Sequence, residues 1–249
     1  MPEVLYTKGM LDWYDKLYCS DENTPEQMKF LTKIFKKKKV KKILDISCGT
    51  GRHSIGLAKA GYNVTGVDKE KSVIDYAKNK AKESGVHAKF MVQSMESLRL
   101  KEKFDAAIMM YGSLAYLTSN ENILKCLFSV KKLLKPDGMI IIEDDNPWQD
   151  VAGKKLTVRY KLQAQKEKMT VKHAIRIHPE NNLIDIKSSY ERYKNNRKLP
   201  SAADKKPVTL RIFSKNEMEL LLALAGFDDV TFYSSFSGKK FSKQNYKKL

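Results

Sequence analysis

Residues 44–70, LDISCGTGRHSIGLAKAGYNVTGVDKE, contain the pattern that decides the fold. The apolar run Ile43–Ile46 predicts a short buried strand, and the glycines that follow it predict a tight turn. Residues 52–60 then carry apolar side chains at helical spacing, and Val64–Val67 predicts a second strand. A strand, a glycine-rich turn, a helix and a further strand, in this order, are typical of the first unit of a parallel sheet.

The same alternation continues along the chain. Further strands are predicted at Ala88–Val92, at Phe104–Met110 and, after the turn formed by Lys135–Gly138, at Met139–Asp144. These strands are apolar without alternation, which indicates that both of their faces are buried. We therefore predict an α/β fold of the Rossmann-like, doubly wound type, with a mostly parallel sheet and helices on both faces.

The alternation of strands and helices is interrupted once, and the interruption divides the chain into three regions. Residues 1–152 are predicted to form the cofactor-binding core together with N-terminal helices. Residues 153–213 are rich in β-forming side chains, and Pro179–Asn182 predicts a hairpin turn, so this region is predicted to be an antiparallel β insertion after strand five. Residues 214–249 are predicted to complete the core with a C-terminal helix and a final strand, Val230–Tyr233.

The turn after the first strand has the chemistry of a nucleoside site. Gly49 and Gly51 allow the backbone to approach a ligand closely, as they would at a dinucleotide site. Two features favour a different ligand: Ser54 stands where a dinucleotide fingerprint has its third glycine, and Asp45 would repel a pyrophosphate but attract an ammonium group. Asp68, at the end of the second strand, is placed to accept both ribose hydroxyls, although an acid there can also cap a helix.

The stretch 44–70 resembles the first two motifs of class I S-adenosylmethionine-dependent methyltransferases of the small-molecule type. The likeness continues in order along nearly the whole chain, through VQSMESL (92–98), FDAAIMMYGSLAYL (104–117), LLKPDGMIIIED (133–144) and LRIFSKNEMELLLALAGFDDV (210–230). The family includes amine and amino-sugar N-methyltransferases. The resemblance implies an enzyme that uses S-adenosyl-L-methionine to methylate a small molecule, on nitrogen more than on oxygen. The family's usual seventh strand is expected to be missing.

The resemblance also implies which residues hold the cofactor. Ser94 stands where the family usually has an Asp that meets the adenine amino group, and Met95 is expected beside the adenine ring. Trp13-Tyr14-Asp15 is similar to a segment that closes over the cofactor. The cofactor-binding residues expected from this likeness are Tyr14, Asp45, Cys48, Gly49, Thr50, Gly51, Asp68, Lys69, Ser94, Met95 and Met110.

The methyl acceptor is expected at the carboxyl ends of the strands, with the insertion 153–213 as a lid over its pocket. Tyr111 and Tyr116, in the loop after the fourth strand, are the candidates for holding or deprotonating the acceptor, against the alternative that they are packing aromatics. Arg52 could meet the cofactor carboxylate or lie in solvent, and His53 is expected in the core or at the cofactor's edge. No metal site is predicted, because Tyr111 occupies the place of an acid that metal-dependent relatives need.

Composition leaves a second class of function open. The chain carries 47 Lys and Arg against 29 Asp and Glu, a formal net charge of +18. This charge fits an RNA or protein methyltransferase that uses a basic surface, but the lysines are spread along the chain, which favours solvated faces over a nucleic-acid partner. A cofactor-binding module without activity is a third alternative. Three widely separated cysteines and the lack of an apolar leader predict a cytoplasmic protein without a membrane partner. The oligomeric state is left open.

Overall fold

The computed structural model describes residues 8–15, 23–144, 156–164 and 166–241. It divides into two compact units, Glu22–Asn146 with Phe213–Leu249 and Met1–Asp21 with Pro147–Ile212. The first unit is built on a parallel sheet and the second on an antiparallel sheet. No helix in the described ranges combines the length and the apolar character that a membrane crossing requires.

The parallel sheet has five strands in the order β3-β2-β1-β4-β5. Alternate residues of β4 point to opposite faces, and Ala106 and Ile108 are as fully buried as Ala107 and Met109. Both faces of the sheet are therefore covered, which is the burial expected of an all-parallel sheet. The strands are β1 (Lys42–Ile46), β2 (Asn63–Asp68), β3 (Lys89–Val92), β4 (Phe104–Met109) and β5 (Leu134–Ile142).

Helices connect these strands and bury one apolar face each. Within α4, for example, Val73, Ile74, Ala77 and Ala81 recur at helical spacing and are all buried. Ser119 begins α5 by accepting a hydrogen bond from the backbone N–H of Asn122 through its hydroxyl. The helices of this unit are α2 (Asn23–Lys37), α3 (Arg52–Lys59), α4 (Lys71–Glu83), α5 (Asn120–Leu133) and α6 (Lys215–Leu224), with short 3₁₀ turns at Met95–Ser97 and Ser113–Tyr116.

The second unit combines the antiparallel sheet with the N-terminal helix α1 (Lys8–Trp13). Met10 and Trp13 pack with Met169, Val171 and Tyr190 in a buried cluster, which fastens the helix to one face of the sheet. β8 is the central strand, since it pairs with β7, β9, β10 and β11. The strands are β6 (Leu156–Ala164), β7 (Glu167–His178), β8 (Leu183–Lys194), β9 (Arg197–Lys198), β10 (Ala202–Ala203) and β11 (Val208–Arg211).

Three details differ from the sequence-based expectations. The helix α1 groups with the antiparallel unit and not with the core 1–152, because its apolar side chains are buried against β7 and β8. The strand β5 begins at Leu134, and the expected turn at Lys135–Gly138 forms a bulge in it, since Phe104 pairs with Leu134 and Ala106 with Met139.

The expected final strand Val230–Tyr233 is wrong for the described part of the chain. Tyr233 forms only an isolated antiparallel bridge with Lys240. The rings of Tyr233 and Phe236 instead pack edge-on against Phe30, with centroids 5.1 and 5.8 Å away. Aromatic packing against α2 therefore takes the place that strand pairing was expected to fill.

Candidate functional site

The turn between β1 and α3 has an unusual backbone that leaves room on one side. Ser47, Gly49 and Gly51 have φ angles of 56°, 55° and 80°, which lie in the left-handed region. Chain neighbours aside, a Cβ atom added at Gly49 would meet no atom of the described residues within 4 Å, so these residues leave the surface above Gly49 open. A ligand can therefore lie directly against the backbone of the turn.

Asp68 connects this turn to the end of β2. Its Oδ2 accepts a hydrogen bond from the Gly49 N–H at 3.1 Å, and its Oδ1 accepts one from the Glu70 N–H at 3.1 Å. Each carboxylate oxygen can accept a further hydrogen bond. The two backbone donors therefore hold the carboxylate in one orientation beside the open surface, which is the requirement for an acceptor of ribose hydroxyls.

Asp45 lies inside β1 and is 2% exposed. Ser54, on α3, donates its hydroxyl to Asp45 Oδ2 at 2.6 Å. Burial raises the pKa of Asp45 from 3.8 to about 7, even though the hydrogen bonds from Ser54 oppose the change. Because burial disfavours the charged form of Asp45, a positively charged group beside it would stabilise the carboxylate.

Ser54 fits close to the sheet because β2 supplies a glycine at the point of contact. A Cβ atom added to Gly66 would lie 2.9 Å from Ser54 Oγ, 2.9 Å from Phe90 Cδ1 and 3.0 Å from Cys48 Sγ. The Cys48 thiol therefore points into the core, and burial raises its pKa well above the usual value. Cys48 can reach a cofactor through its backbone but is not a reactive thiol.

Ser94 and Met95 lie beyond the end of β3. The Ser94 hydroxyl accepts a hydrogen bond from the Glu96 N–H at 3.4 Å and donates to Glu96 Oε2 at 3.3 Å, so it caps the short 3₁₀ turn. Met95 Sδ lies 3.6 Å from the Ser47 hydroxyl, which brings this thioether beside the turn after β1. Met95 therefore lies beside the turn that contains Gly49.

The remaining expected cofactor residues have different surroundings. Thr50 is buried in the turn, and Lys69 is exposed beside Asp68. The side chain of Met110 packs into the core cluster around Phe30 and Ile108, so the structure does not place it on the open side of the turn. Tyr14 lies in the other unit, where it packs against the cluster of Met10 and Trp13. Its contact with the cofactor stays a prediction, as does the lid formed by 153–213.

A polar network for which the sequence carries no local signal lies between α2, α3 and the ends of β4 and β5. At its centre is Gln27, which is 1% exposed. Its Nε2 donates to the Glu143 carboxylate at 3.0 and 3.3 Å, and its Oε1 accepts from Arg52 Nη2 at 3.1 Å. His53 Nε2 also lies 3.0 Å from this oxygen. Gln27 and Glu143 are 116 residues apart in the chain, so spacing gave no signal of this contact.

The network holds Tyr111 from two sides. Arg52 Nη1 donates to the Tyr111 hydroxyl at 2.6 Å and to Thr24 Oγ1 at 2.8 Å, and the guanidinium lies 4.0 Å from the Tyr111 ring centroid. The Tyr111 N–H donates to Glu143 Oε2 at 3.0 Å. Tyr111 has a φ of 59° and is 39% exposed. This fixed, exposed ring argues against the pure packing alternative for Tyr111, and Tyr116 is half-buried at the end of the second 3₁₀ turn.

His53 is a structural member of this network. Burial and the nearby Arg52 cation lower its pKa from 6.5 to about 3, so its ring is neutral near pH 7. A neutral ring can donate its Nε2–H to Gln27, and it is a weak base. No cluster of three His, Cys, Asp or Glu side chains suited to a metal ion is found in the described ranges. Asp145 and Asn146, which follow β5, lie outside those ranges.

Residues 43–138 match a family model described as a methyltransferase domain. Among curated relatives, a methyltransferase of Geobacillus sp. (strain WCH70) is 33% identical over 134 residues, 53% of this chain and 54% of the relative. The glycine/sarcosine N-methyltransferase of Aphanothece halophytica is 29% identical over 57% of this chain and 54% of its own length. A ubiquinone biosynthesis O-methyltransferase of Rickettsia felis is 34% identical over 42% and 41%. The chain thus spans about half the length, or less, of these relatives.

Solved structures of other proteins superpose on almost the whole chain. An S-adenosylmethionine-dependent methyltransferase from Clostridium acetobutylicum superposes with a TM-score of 0.78 at 18% identity, covering 94% of this chain and 93% of its own. The S-adenosylmethionine-bound amino pentose methyltransferase CalS10 of Micromonospora echinaspora gives 0.74 at 15% identity, covering 95% of both. At this level of identity, the likeness establishes the fold.

The fold class predicted from the sequence is therefore confirmed. Residues 43–138 match a methyltransferase domain, and the chain has the Rossmann-like fold of the matched S-adenosylmethionine-dependent methyltransferase structures. The antiparallel sheet that follows β5 is part of the same likeness, since the matched structures cover it as well.

Proposed function

We propose that this protein transfers a methyl group from S-adenosyl-L-methionine to nitrogen on a small-molecule acceptor. The observation that carries the proposal is the pair of acids beside the open turn. Asp45 and Asp68 stand on the neighbouring strands β1 and β2, and Gly49 between them leaves its surface uncovered. A ligand with a cationic amino-acid end and a ribose suits this arrangement, whereas a pyrophosphate does not.

The residues of the turn fit S-adenosyl-L-methionine part by part. Asp68 can accept the ribose hydroxyls, Met95 can pack against the adenine, and the buried Asp45 favours the ammonium group. When bound, the cofactor supplies a methyl group on a positively charged sulfur, which is already a good leaving group. The protein is therefore required mainly to align the acceptor and to exclude water.

The surroundings of Tyr111 favour a nitrogen acceptor. The neighbouring His53 is buried and has a pKa of about 3, so it is a poor base for removing a proton from an alcohol. A neutral amine needs no such base before it attacks, because its lone pair is available. Two of the matched proteins are named for amine substrates, the glycine/sarcosine enzyme and the amino pentose enzyme, and this supports the same choice.

Tyr111 is the residue that we propose to hold the acceptor, with Tyr116 as a second contact. The phenol oxygen of Tyr111 accepts from Arg52, and a phenol hydroxyl is also a donor that suits an oxygen of the acceptor next to the reacting amine. Glu143 and Gln27 act through Arg52 and the loop backbone and are positioning residues. Orientation of this kind is the main contribution that a methyltransferase site has to make.

Two measurements on the full chain test the proposal. Titration calorimetry with S-adenosylhomocysteine should give a saturable heat, and absence of binding would remove the cofactor assignment. Incubation with methyl-labelled S-adenosylmethionine should then transfer label to glycine, sarcosine or an amino pentose. If S-adenosylhomocysteine binds but label appears only in hydroxyl compounds, the cofactor assignment stands and the choice of nitrogen is wrong.

A further inference from the structure

The antiparallel sheet has one apolar face and one cationic face. Met169 and Val171, like Tyr190, are buried with Trp13 in the cluster on one side. Because side chains alternate along a strand, Thr170 and Lys172 point to the other side. On the neighbouring strand β6, Arg159 and Lys161 are paired with these two residues and are exposed. Lys168, on β7, and Lys187, on β8, are also exposed and share the same face by their pairing.

Three of these cations, Arg159, Lys161 and Lys172, border a cleft of about 600 Å³. Arg159 is directly opposite Lys172, and Lys161 is opposite Thr170. Cα atoms of directly opposed residues are about 5 Å apart, and residues two apart on one strand are separated by about 7 Å. Three positive side chains therefore converge within a single patch. Ser189 continues the row from Lys172 on β8, and Glu191 continues the row from Thr170.

The arrangement is unfavourable for the stability of the sheet itself. Like charges on directly opposed residues of an antiparallel pair repel each other, and Arg159 and Lys172 form such a pair. Glu191 offers little compensation, because its carboxylate already pairs with Lys198 Nζ at 3.3 Å. An anionic ligand in the cleft would neutralise these cations and relieve their repulsion.

We propose that this cleft, defined by Arg159, Lys161 and Lys172, binds the phosphate backbone of a single-stranded nucleic acid. The three cations can contact consecutive phosphates, and the hydroxyls of Thr170 and Ser189 can donate to phosphate oxygens. Tyr190 also borders the cleft, but its side chain is buried on the other face. The described lining therefore contacts the backbone and not the bases, so the binding does not depend on sequence.

A nucleic acid fits this cleft better than a membrane surface does. Binding at a lipid interface needs apolar side chains that insert below the headgroups, whereas the apolar residues of the described lining are the small Ala202 and Ala203. The cleft is also concave, and it suits a strand of a few nucleotides more than a plane. Nothing in this inference depends on methyl transfer, and it is tested without the cofactor.

Fluorescence anisotropy with a labelled oligouridylate of about 12 nucleotides measures the affinity between about 50 and 200 mM salt. The variant Arg159→Gln/Lys161→Gln/Lys172→Gln should bind at least about tenfold more weakly. The slope of log affinity against log salt should also fall by about 2, since each contact to a single strand contributes about 0.7. The matched control, Lys33→Gln/Lys78→Gln/Lys101→Gln, removes three exposed charges from the other unit and should change the affinity little.

Three results would overturn the proposal. The control variant could bind the oligonucleotide as weakly as the cleft variant does. Net charge, and not the cleft, would then explain the loss of affinity. The cleft variant could bind the oligonucleotide as the unmodified chain does. Binding to vesicles that contain phosphatidylserine could require the three residues while binding to the oligonucleotide does not. This result would identify the partner as a membrane surface. If the triple variant has a lower melting temperature, the single change Lys172→Gln tests the same point, with an expected fall in slope of about 0.7.

Discussion

Replacing Asp45 by Asn is expected to make the protein more stable at alkaline pH and less able to bind its cofactor. The carboxylate is 2% exposed, and burial raises its pKa to about 7. An amide of the same shape removes the charge and can still accept the hydrogen bond from Ser54. The substitution therefore separates the cost of the charge from the packing of the side chain.

The size and sign of the effect follow from the two pKa values. Asp45 has a pKa of about 7 in the folded chain and 3.8 in the unfolded chain. Between these values the folded state keeps a proton that the unfolded state has lost, so stability falls as the pH rises. At about 1.4 kcal/mol per pKa unit, the full cost is about 4 kcal/mol, and about 3 kcal/mol of it develops between about pH 5 and pH 8.

Urea unfolding of the wild type and of Asp45→Asn at about pH 5 and pH 8 measures this quantity. The free energy of unfolding of the variant minus that of the wild type should be larger at the higher pH than at the lower one, by about 3 kcal/mol. His53 has its own effect on acid stability, because its pKa of about 3 makes the folded state less stable as the pH falls below 6.5. Both proteins contain His53, so that contribution cancels in the comparison.

Calorimetry with S-adenosylhomocysteine supplies the second half of the test. Loss of a charged partner for the ligand's ammonium group should weaken binding by about 1.5 to 3 kcal/mol. The variant is thus expected to gain stability and to lose affinity for the ligand. Opposite changes of this kind are typical of a buried charge whose role is to bind a ligand. A variant that is no more stable at pH 8, and that binds the nucleoside as tightly as the wild type, would refute the assigned role of Asp45.

Three further substitutions probe the site. Asp68→Ala should weaken S-adenosylhomocysteine binding by about 1 to 3 kcal/mol in calorimetry, while the exposed control Asp75→Ala leaves it unchanged; equal losses would point to a general effect of removing charge. Gly66→Ala should lower the free energy of unfolding by about 1 to 3 kcal/mol in urea, because its Cβ would lie within 3.0 Å of three atoms; an unchanged value would show that the contacts relax freely. Tyr111→Phe should reduce methyl transfer to the acceptor about tenfold or more with S-adenosylhomocysteine affinity kept, whereas Tyr62→Phe, in the loop after α3 where the ring packs against Phe35, should match the wild type in both assays.

The structural elements around the candidate site that the sequence predicted correctly are local in the chain. The glycine-rich turn, the strand that contains Asp45 and the strand that ends at Asp68 lie within 27 residues, 44–70, and each follows from apolar runs broken by glycine. The parallel order of β1, β2 and β4 also follows from the alternation of strands and helices. Periodicity and turn residues are sufficient here because each element is determined by its own segment.

The polar network around Tyr111 could not be predicted in this way. Gln27 meets Glu143 only because α2 packs over the sheet beside the end of β5, and Arg52 meets Tyr111 across 59 residues. Such pairs depend on how helices pack in three dimensions, and neither residue of a pair is unusual in its own segment. The placement of α1 against β7 and β8 depends on packing in the same way.

The serine at position 54 is consistent with the ligand that we propose for this turn. In a dinucleotide site the third glycine allows the helix to approach the strand closely. Here Ser54 takes that place, and Gly66 on the neighbouring strand supplies the missing space. The serine hydroxyl then donates to Asp45 and opposes the rise in its pKa, which keeps a fraction of the carboxylate ionised near pH 7. Asp45, Ser54 and Gly66 therefore depend on one another, because the glycine leaves room for the serine and the serine limits the rise in the pKa of the acid. In the proposed function, this arrangement favours a positively charged ligand over a pyrophosphate at the same turn.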